Sequence, residues 1–188
     1  MGYTHAELQA FRGKTLPDLL GPSTKLLFVG INPGLLTVAM QAHFGRRGNR
    51  FYPALHAAGI VDHVIDASEG FRPEDQQLLL TRGIGITNLV PVATARADEL
   101  TREELTAGAI TLTETVARVK PRVVAMLGIT AYRTAFARPK AAVGRQPEQL
   151  ARAELWVVPN PSGLNAHSSL TDLAAAYREA AVAAGVLH

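Results

Sequence analysis

Lys25-Leu26-Leu27-Phe28-Val29-Gly30-Ile31-Asn32-Pro33-Gly34 is the stretch whose reading decides the fold. Its apolar run reads as a buried strand over residues 25–31, and the loop G-I-N-P-G follows directly. A second unit of the same design stands near the other end of the chain. There Leu155-Trp156-Val157-Val158 runs into Asn160-Pro161-Ser162-Gly163-Leu164. Ligands of an open α/β sheet bind outside the carboxyl ends of its strands. If the two strands are neighbours, their loops face one another across a single crevice.

Working outward, residues 1–23 contain Pro17, Gly21 and Pro22 and read as an irregular lead-in with one short helix. After the first loop comes a polar segment, Gln41 to Arg50. A helix then carries Phe51, Leu55 and Ala58 and ends at Gly59. Pro73-Glu74-Asp75 opens another helix, with proline and acids in the turn where the helix N-terminus favours them. Residues 83–90 read as a second strand. Thr101 and Glu104 have the spacing of a capping box, and Leu105, Ala109, Leu112, Val116 and Val119 make one apolar helix face.

Pro121 stops that helix and a third strand spans 123–127. A short helix follows, then a Pro- and Gly-containing stretch from Pro139 to Pro147. The fourth strand is 155–158. Ser169 and Asp172 begin a last helix with Leu170, Leu173, Tyr177 and Ala181 facing inward, ended by Gly185. Strands alternating with amphipathic helices predict an α/β fold: three layers, with a central, mostly parallel four-stranded sheet flanked by helices. One domain is expected over residues 1–188.

Composition narrows the classes. Hydrophobic residues make up 47% of the 188, a globular proportion, and no apolar run is long enough to span a membrane. No basic region followed by an apolar stretch opens the chain, so no secretory signal is expected. The absence of cysteine excludes disulfides, thiol catalysis and cysteine-ligated zinc or iron–sulfur clusters, and it fits a reducing compartment. A formal charge of +3 permits a polyanionic partner without arguing strongly for one.

The first loop has neither the Lys-Ser/Thr pair of a P-loop nor the spacing of a dinucleotide fold. Asn32, at a strand end, offers one acceptor and two donors, which can orient a water but cannot serve as an ordinary general base. The run G-I-N-P-G-L, with Phe44 twelve residues after Asn32, G-N-R-F at 48–51 and N-P-S-G-L at 160–164, resembles the mismatch-specific uracil/thymine glycosylases of the uracil-DNA glycosylase superfamily. The similarity extends over roughly residues 16 to 180, through G-I-T-N-L-V at 85–90 and A-Y-R-E at 176–179.

That resemblance implies roles residue by residue. Asn32 falls on the asparagine that positions the attacking water, and Phe44 on the aromatic that stacks on the extruded base. Ile31 would present backbone groups to the base edge. Asn49 matches a loop asparagine, with a turn-stabilising role left open. Thr37 lies where relatives carry small residues near C5 of the base, so uracil is expected to be preferred over thymine. Asn88 is either structural or pocket-facing.

A base inside a duplex must be flipped out before chemistry, and an apolar wedge offsets the unstacking. By resemblance Leu164 is the wedge and Gly163 lets backbone approach the widowed base. Ser162 or Asn165 would reach a phosphate or a base edge. Arg46, Arg47 and Arg50 form a basic cluster where a DNA backbone would pass. His43 and His167 read as solvated loop residues more readily than as phosphate contacts. No His and acid set has metal-ligand spacing, and no cofactor is implied.

The implied reaction is hydrolysis of the N-glycosidic bond of uracil in G·U or G·T mismatched double-stranded DNA, leaving an abasic site. With no acid or histidine beside Asn32 in the first loop, a slow enzyme is expected. No lysine nucleophile is implied, hence no lyase activity. A monomer acting on cytoplasmic, nucleoid DNA completes the expectation. The rivals are a non-catalytic mismatch- or lesion-binding protein on the same scaffold, a uracil glycosylase of broader lesion and base-pair specificity, and a small-molecule nucleotide enzyme. The missing phosphate loops count against the last. Iron–sulfur glycosylases of the same superfamily are excluded by the lack of cysteine.

Overall fold

The computed structural model describes residues 2–188. Helices α1 (His5–Gln9), α2 (Leu35–Met40), α3 (Phe51–Ala57), α4 (Pro73–Thr81), α5 (Arg102–Val119), α6 (Ile129–Ala135) and α7 (Leu170–Ala183) alternate with five strands. These are β1 (Leu26–Gly30), β2 (Ile84–Asn88), β3 (Val123–Leu127), β4 (Gly144–Leu150) and β5 (Ala153–Val158). They form one sheet in the order β2-β1-β3-β5-β4. Every pair is parallel except the β4/β5 pair at the edge.

Strand β1 is buried along its whole length because both faces of the sheet are covered. Alternation along the strand sends Leu26 and Phe28 into a core shared with Phe51, Leu55, Leu173 and Tyr177 of α3 and α7. Leu27 and Val29 enter the opposite core with Leu112, Val116 and Tyr132 of α5 and α6. Three layers follow from this two-sided burial.

The expected capping box is present at Thr101, and the structure adds one at Ser169, where the last helix is expected to begin. Glu104 N donates to Thr101 Oγ1 at 3.1 Å and Thr101 N to Glu104 Oε2 at 2.7 Å. At the start of α7, Asp172 N donates to Ser169 Oγ at 3.1 Å and Ser169 N to Asp172 Oδ2 at 2.8 Å. Each such cap is worth about 1 kcal/mol.

Three expectations are corrected. The sheet has five strands, not four, because residues 144–150 form the antiparallel edge strand β4. Pro147 is tolerated there because an edge strand has one unpaired side, and the register shifts between Arg145 and Gln149 around it. The turn into β5 is made by Ala151 and Arg152 at φ 45° and 73°. Neither residue belongs to the Asn/Gly pairs that announce such a hairpin. Second, β1 and β5 are not neighbours: β3 lies between them. Third, Leu170 does not face inward but is exposed at the start of α7.

Candidate active site

Parallel strands place all their carboxyl ends along one edge of the sheet, so the loops after β1 and β5 still meet across the end of β3. Between them lies a cavity of about 370 Å³. Gly30 to Gly34, Thr37, Phe44 and Asn49 line one side, Asn88 and residues 94–98 another, and Asn160, Pro161, Ser162 and Leu164 the far lip. A smaller groove of about 170 Å³ runs between Arg46 to Asn49 and Ser162 to Leu164.

Asn32 is held in one orientation. Its Nδ2 donates to Val92 O at 2.9 Å and to Thr94 Oγ1 at 2.8 Å, and Thr94 Oγ1 in turn donates to Arg96 O at 2.7 Å. A carbonyl partner requires the nitrogen on that side, which leaves Oδ1 as the free acceptor on the cavity side. Among the described residues none donates to Oδ1, and no imidazole or carboxylate is hydrogen-bonded to Asn32. The loop at 92–94 that fixes this amide carries no motif in the sequence; only the fold brings it under Asn32.

Phe44 sits at φ 57°, a left-handed conformation that costs a bulky residue about 1–2 kcal/mol. Packing compensates: its ring lies 4.2 Å from Phe51 at an interplanar angle of 34°. Gly30 opens the space beside it. A Cβ there would stand 2.6 Å from Asn88 Oδ1 and 3.4 Å from Phe44 Cζ, so only glycine admits both side chains to the cavity floor. Asn88 is thus pocket-facing. Asn49 does brace a turn, because its Oδ1 accepts from Phe51 N at 2.9 Å, while the residue also lines the cavity.

The far lip is built from its own polar atoms. Ser162 N donates to Asn160 Oδ1 at 2.9 Å, Leu164 N to Ser162 Oγ at 3.2 Å, and Asn165 Nδ2 to Asn160 O at 2.9 Å. Ser162 and Asn165 therefore shape the loop first. Leu164 projects from it 80% exposed, the most exposed large apolar side chain of the described residues. Gly163 is needed for close approach: a Cβ would meet Gly48 O at 2.9 Å.

The basic cluster divides. Arg46 and Arg47 are exposed, and Arg47 makes only a loose 3.7 Å contact with Glu69, both side chains more than 80% accessible. Arg50 turns away from them. Its guanidinium donates to Ser168 O, to Ser162 O at 3.2 Å and to Asn165 O at 2.8 Å. His167 is exposed.

His43 departs from the solvated-loop reading, for it is only 4% exposed and borders the cavity. Its Nε2 faces Pro17 O at 2.8 Å and must carry the hydrogen, leaving Nδ1 as an acceptor. Burial lowers its pKa, against the opposing pull of Pro17 O and Asp18. Stability tied to neutral His43 is therefore complete above the ordinary histidine pKa of about 6.5 and is lost as pH falls towards the lower folded value. His63 acts in the opposite sense. Hydrogen bonds to Asp62 and Asp75 raise its pKa, so its contribution is full below about 6.5 and fades as pH rises through the raised value. In thermal midpoints measured from pH 5 to 8, His43→Gln should lose less, or gain more, between pH 8 and pH 5 than the wild type, which makes its acid limb the flatter. An unchanged acid limb in the variant counts against this assignment.

The model of the family described as the Uracil DNA glycosylase superfamily matches residues 17–183. Among solved structures, the chain is similar to a Methanosarcina acetivorans protein, determined by solution NMR and assigned provisionally as a uracil DNA glycosylase. The two share 20% sequence identity at a TM-score of 0.57, over 90% of this chain and 97% of that one. At that identity the likeness speaks for the fold, which is the same helix-flanked sheet. The family match covers most of the chain, both loops included, and the chain belongs to the uracil DNA glycosylase superfamily.

Proposed function

We propose that this protein is a monofunctional DNA glycosylase that flips uracil out of G·U mismatches and hydrolyses its N-glycosidic bond, leaving an abasic site. One observation carries the reading: a single cavity joins an asparagine with its Oδ1 free to a strained aromatic platform, with an exposed leucine on the opposite lip. Each part answers a physical need. The extruded base requires a flat apolar face, supplied by Phe44. The attacking water requires an acceptor fixed in direction, supplied by Asn32 Oδ1. The vacated stack requires an apolar filler, supplied by Leu164.

Loss of the base leaves an oxocarbenium-like sugar and an anionic leaving group, so catalysis rests on orientation and on hydrogen bonds to the departing base. Ile31 offers backbone groups at the cavity wall for that edge. With no general base hydrogen-bonded to Asn32, turnover is expected to be slow. The enzyme works in this reading as a single-domain monomer on chromosomal DNA in the cytoplasm, with no metal or cofactor. A single-turnover assay on a G·U duplex decides the matter. Strand scission should appear only after alkali; scission without alkali indicates lyase chemistry, and no abasic product at large enzyme excess defeats the glycosylase reading.

Thr37, in the first turn of α2, lines the cavity. Its branched side chain is placed in this proposal against C5 of the base, where it crowds a thymine methyl. Thr37→Ala is therefore expected to raise G·T turnover relative to G·U by about tenfold, the usual worth of one methyl clash. Equal G·T and G·U rates in the wild type would remove Thr37 as a discriminator.

Arg46 and Arg47 face the groove beside the wedge loop and are proposed as phosphate contacts. Replacing both by Gln should weaken duplex binding and reduce the slope of log affinity against log salt by about 2, near 0.9 for each phosphate no longer neutralised. An unaltered slope means that the pair is only surface.

A further inference from the structure

Arg50 stands between the two halves of the site. It follows Asn49, which lines the base cavity, and precedes Phe51, which packs against the Phe44 platform. Its own backbone N donates to Pro161 O at 2.9 Å, and its guanidinium reaches three further carbonyls of the wedge loop, at Ser162, Asn165 and Ser168. Those carbonyls flank Leu164 on both sides. All four bonds are to main chain, so they fix the course of the loop whatever side chains it bears.

The guanidinium makes no ion pair with a carboxylate of the described residues, and its Nε is buried without a partner. Burying a cation in this way is costly, and the cost is offset only while the carbonyls stay in place. A lysine cannot reproduce the grip, because one ammonium does not span acceptors arranged around a planar fork.

We infer that Arg50 is a positioning residue that couples the base pocket to the wedge: it holds Leu164 at the height from which it enters the stack and ties that height to segment 49–51. The inference rests on the glycosylase reading and extends it. A base seated against Phe44 and Asn49 bears on Asn49 directly and on Phe51 through Phe44, the two neighbours of the one residue that grips the loop, so filling the pocket and filling the stack become one event.

The test is a double-mutant cycle of Arg50→Ala with Leu164→Ala, read as single-turnover rate on a G·U duplex. Hydrogen exchange of the free proteins runs alongside. Arg50→Ala is expected to slow the wild-type background by about tenfold or more, yet to cost less than about twofold once Leu164 is already alanine. Arg50→Lys should fall between wild type and Arg50→Ala. Exchange in Arg50→Ala should rise by about tenfold or more across residues 160–169 and stay unchanged in β3 and β5. Equal slowing in both backgrounds, or faster exchange throughout the sheet, shows a general structural role and overturns the inference. Full activity in Arg50→Ala overturns it as well. If the wild type leaves G·U uncut, the glycosylase reading falls. The cycle is then read on affinity for the same duplex, where additive losses overturn the coupling and exchange still decides the grip.

Discussion

Asn32→Ala is expected to slow single-turnover cleavage of a G·U duplex by about 10³-fold, with duplex affinity within about threefold of wild type. The size of the effect follows from how the amide is held. Val92 O and Thr94 Oγ1 take the Nδ2 side, so the remaining oxygen cannot rotate away from the cavity. A water bound there is oriented before the bond to the base lengthens, and that preorganisation disappears with the side chain. Stability should change little, since Asn32 is only half-buried and the two freed acceptors lie where water can reach them. Asn32→Asp should not restore the rate, because a carboxylate has no hydrogen to offer Val92 O. A rate for Asn32→Ala within about tenfold of wild type would assign the water to another residue.

Leu164→Ala should lower cleavage of a G·U duplex by about 10- to 100-fold, in keeping with the few kcal/mol needed to unstack one base. The side chain is 80% exposed in the free protein and supports no core, so the thermal midpoint should move by less than about 2 °C. Such a separation of function from stability would mark a leucine whose partner lies outside the chain. The loss should shrink when uracil lies in an unpaired bulge, where little stacking must be broken. An equal loss on both substrates would show that Leu164 acts on the pocket rather than on the stack.

Much of this molecule was legible in the chain. Apolar runs bounded by Gly and Pro located β1, β2, β3 and β5, because strands covered on both faces have no polar alternation to hide them. The capping-box spacing at Thr101 and the start signal at Ser169 and Asp172 announced α5 and α7 through bonds local in sequence. Strand β4 was hidden for the opposite reason. Its polar, proline-containing sequence becomes a strand only by pairing with β5, and that pairing is not a local property.

The two loops were also legible as a candidate site, through their strand-end position and their resemblance to a known family, and they line one cavity. Their chemistry was not fully so. His43 and Arg50 have side chains that ordinarily stay in water, and nothing adjacent in sequence says otherwise. His43 is buried because Pro17 O, from the lead-in, closes over it; Arg50 is withdrawn because three carbonyls converge on it from residues 162–168.

What the sequence determined by itself was four of the five strands, most of the helices, the mostly parallel character of the sheet, and the two loops with Asn32, Phe44 and Leu164, since these depend on short-range pattern. Only the tertiary structure decided that β3 separates the two strands, that Val92 and Thr94 aim the Asn32 amide, and that Arg50 grips the loop at residues 162–168. Hydrogen bonds between residues far apart in the chain carry no sequence signature, because their geometry exists only once the sheet has placed both partners at the same edge.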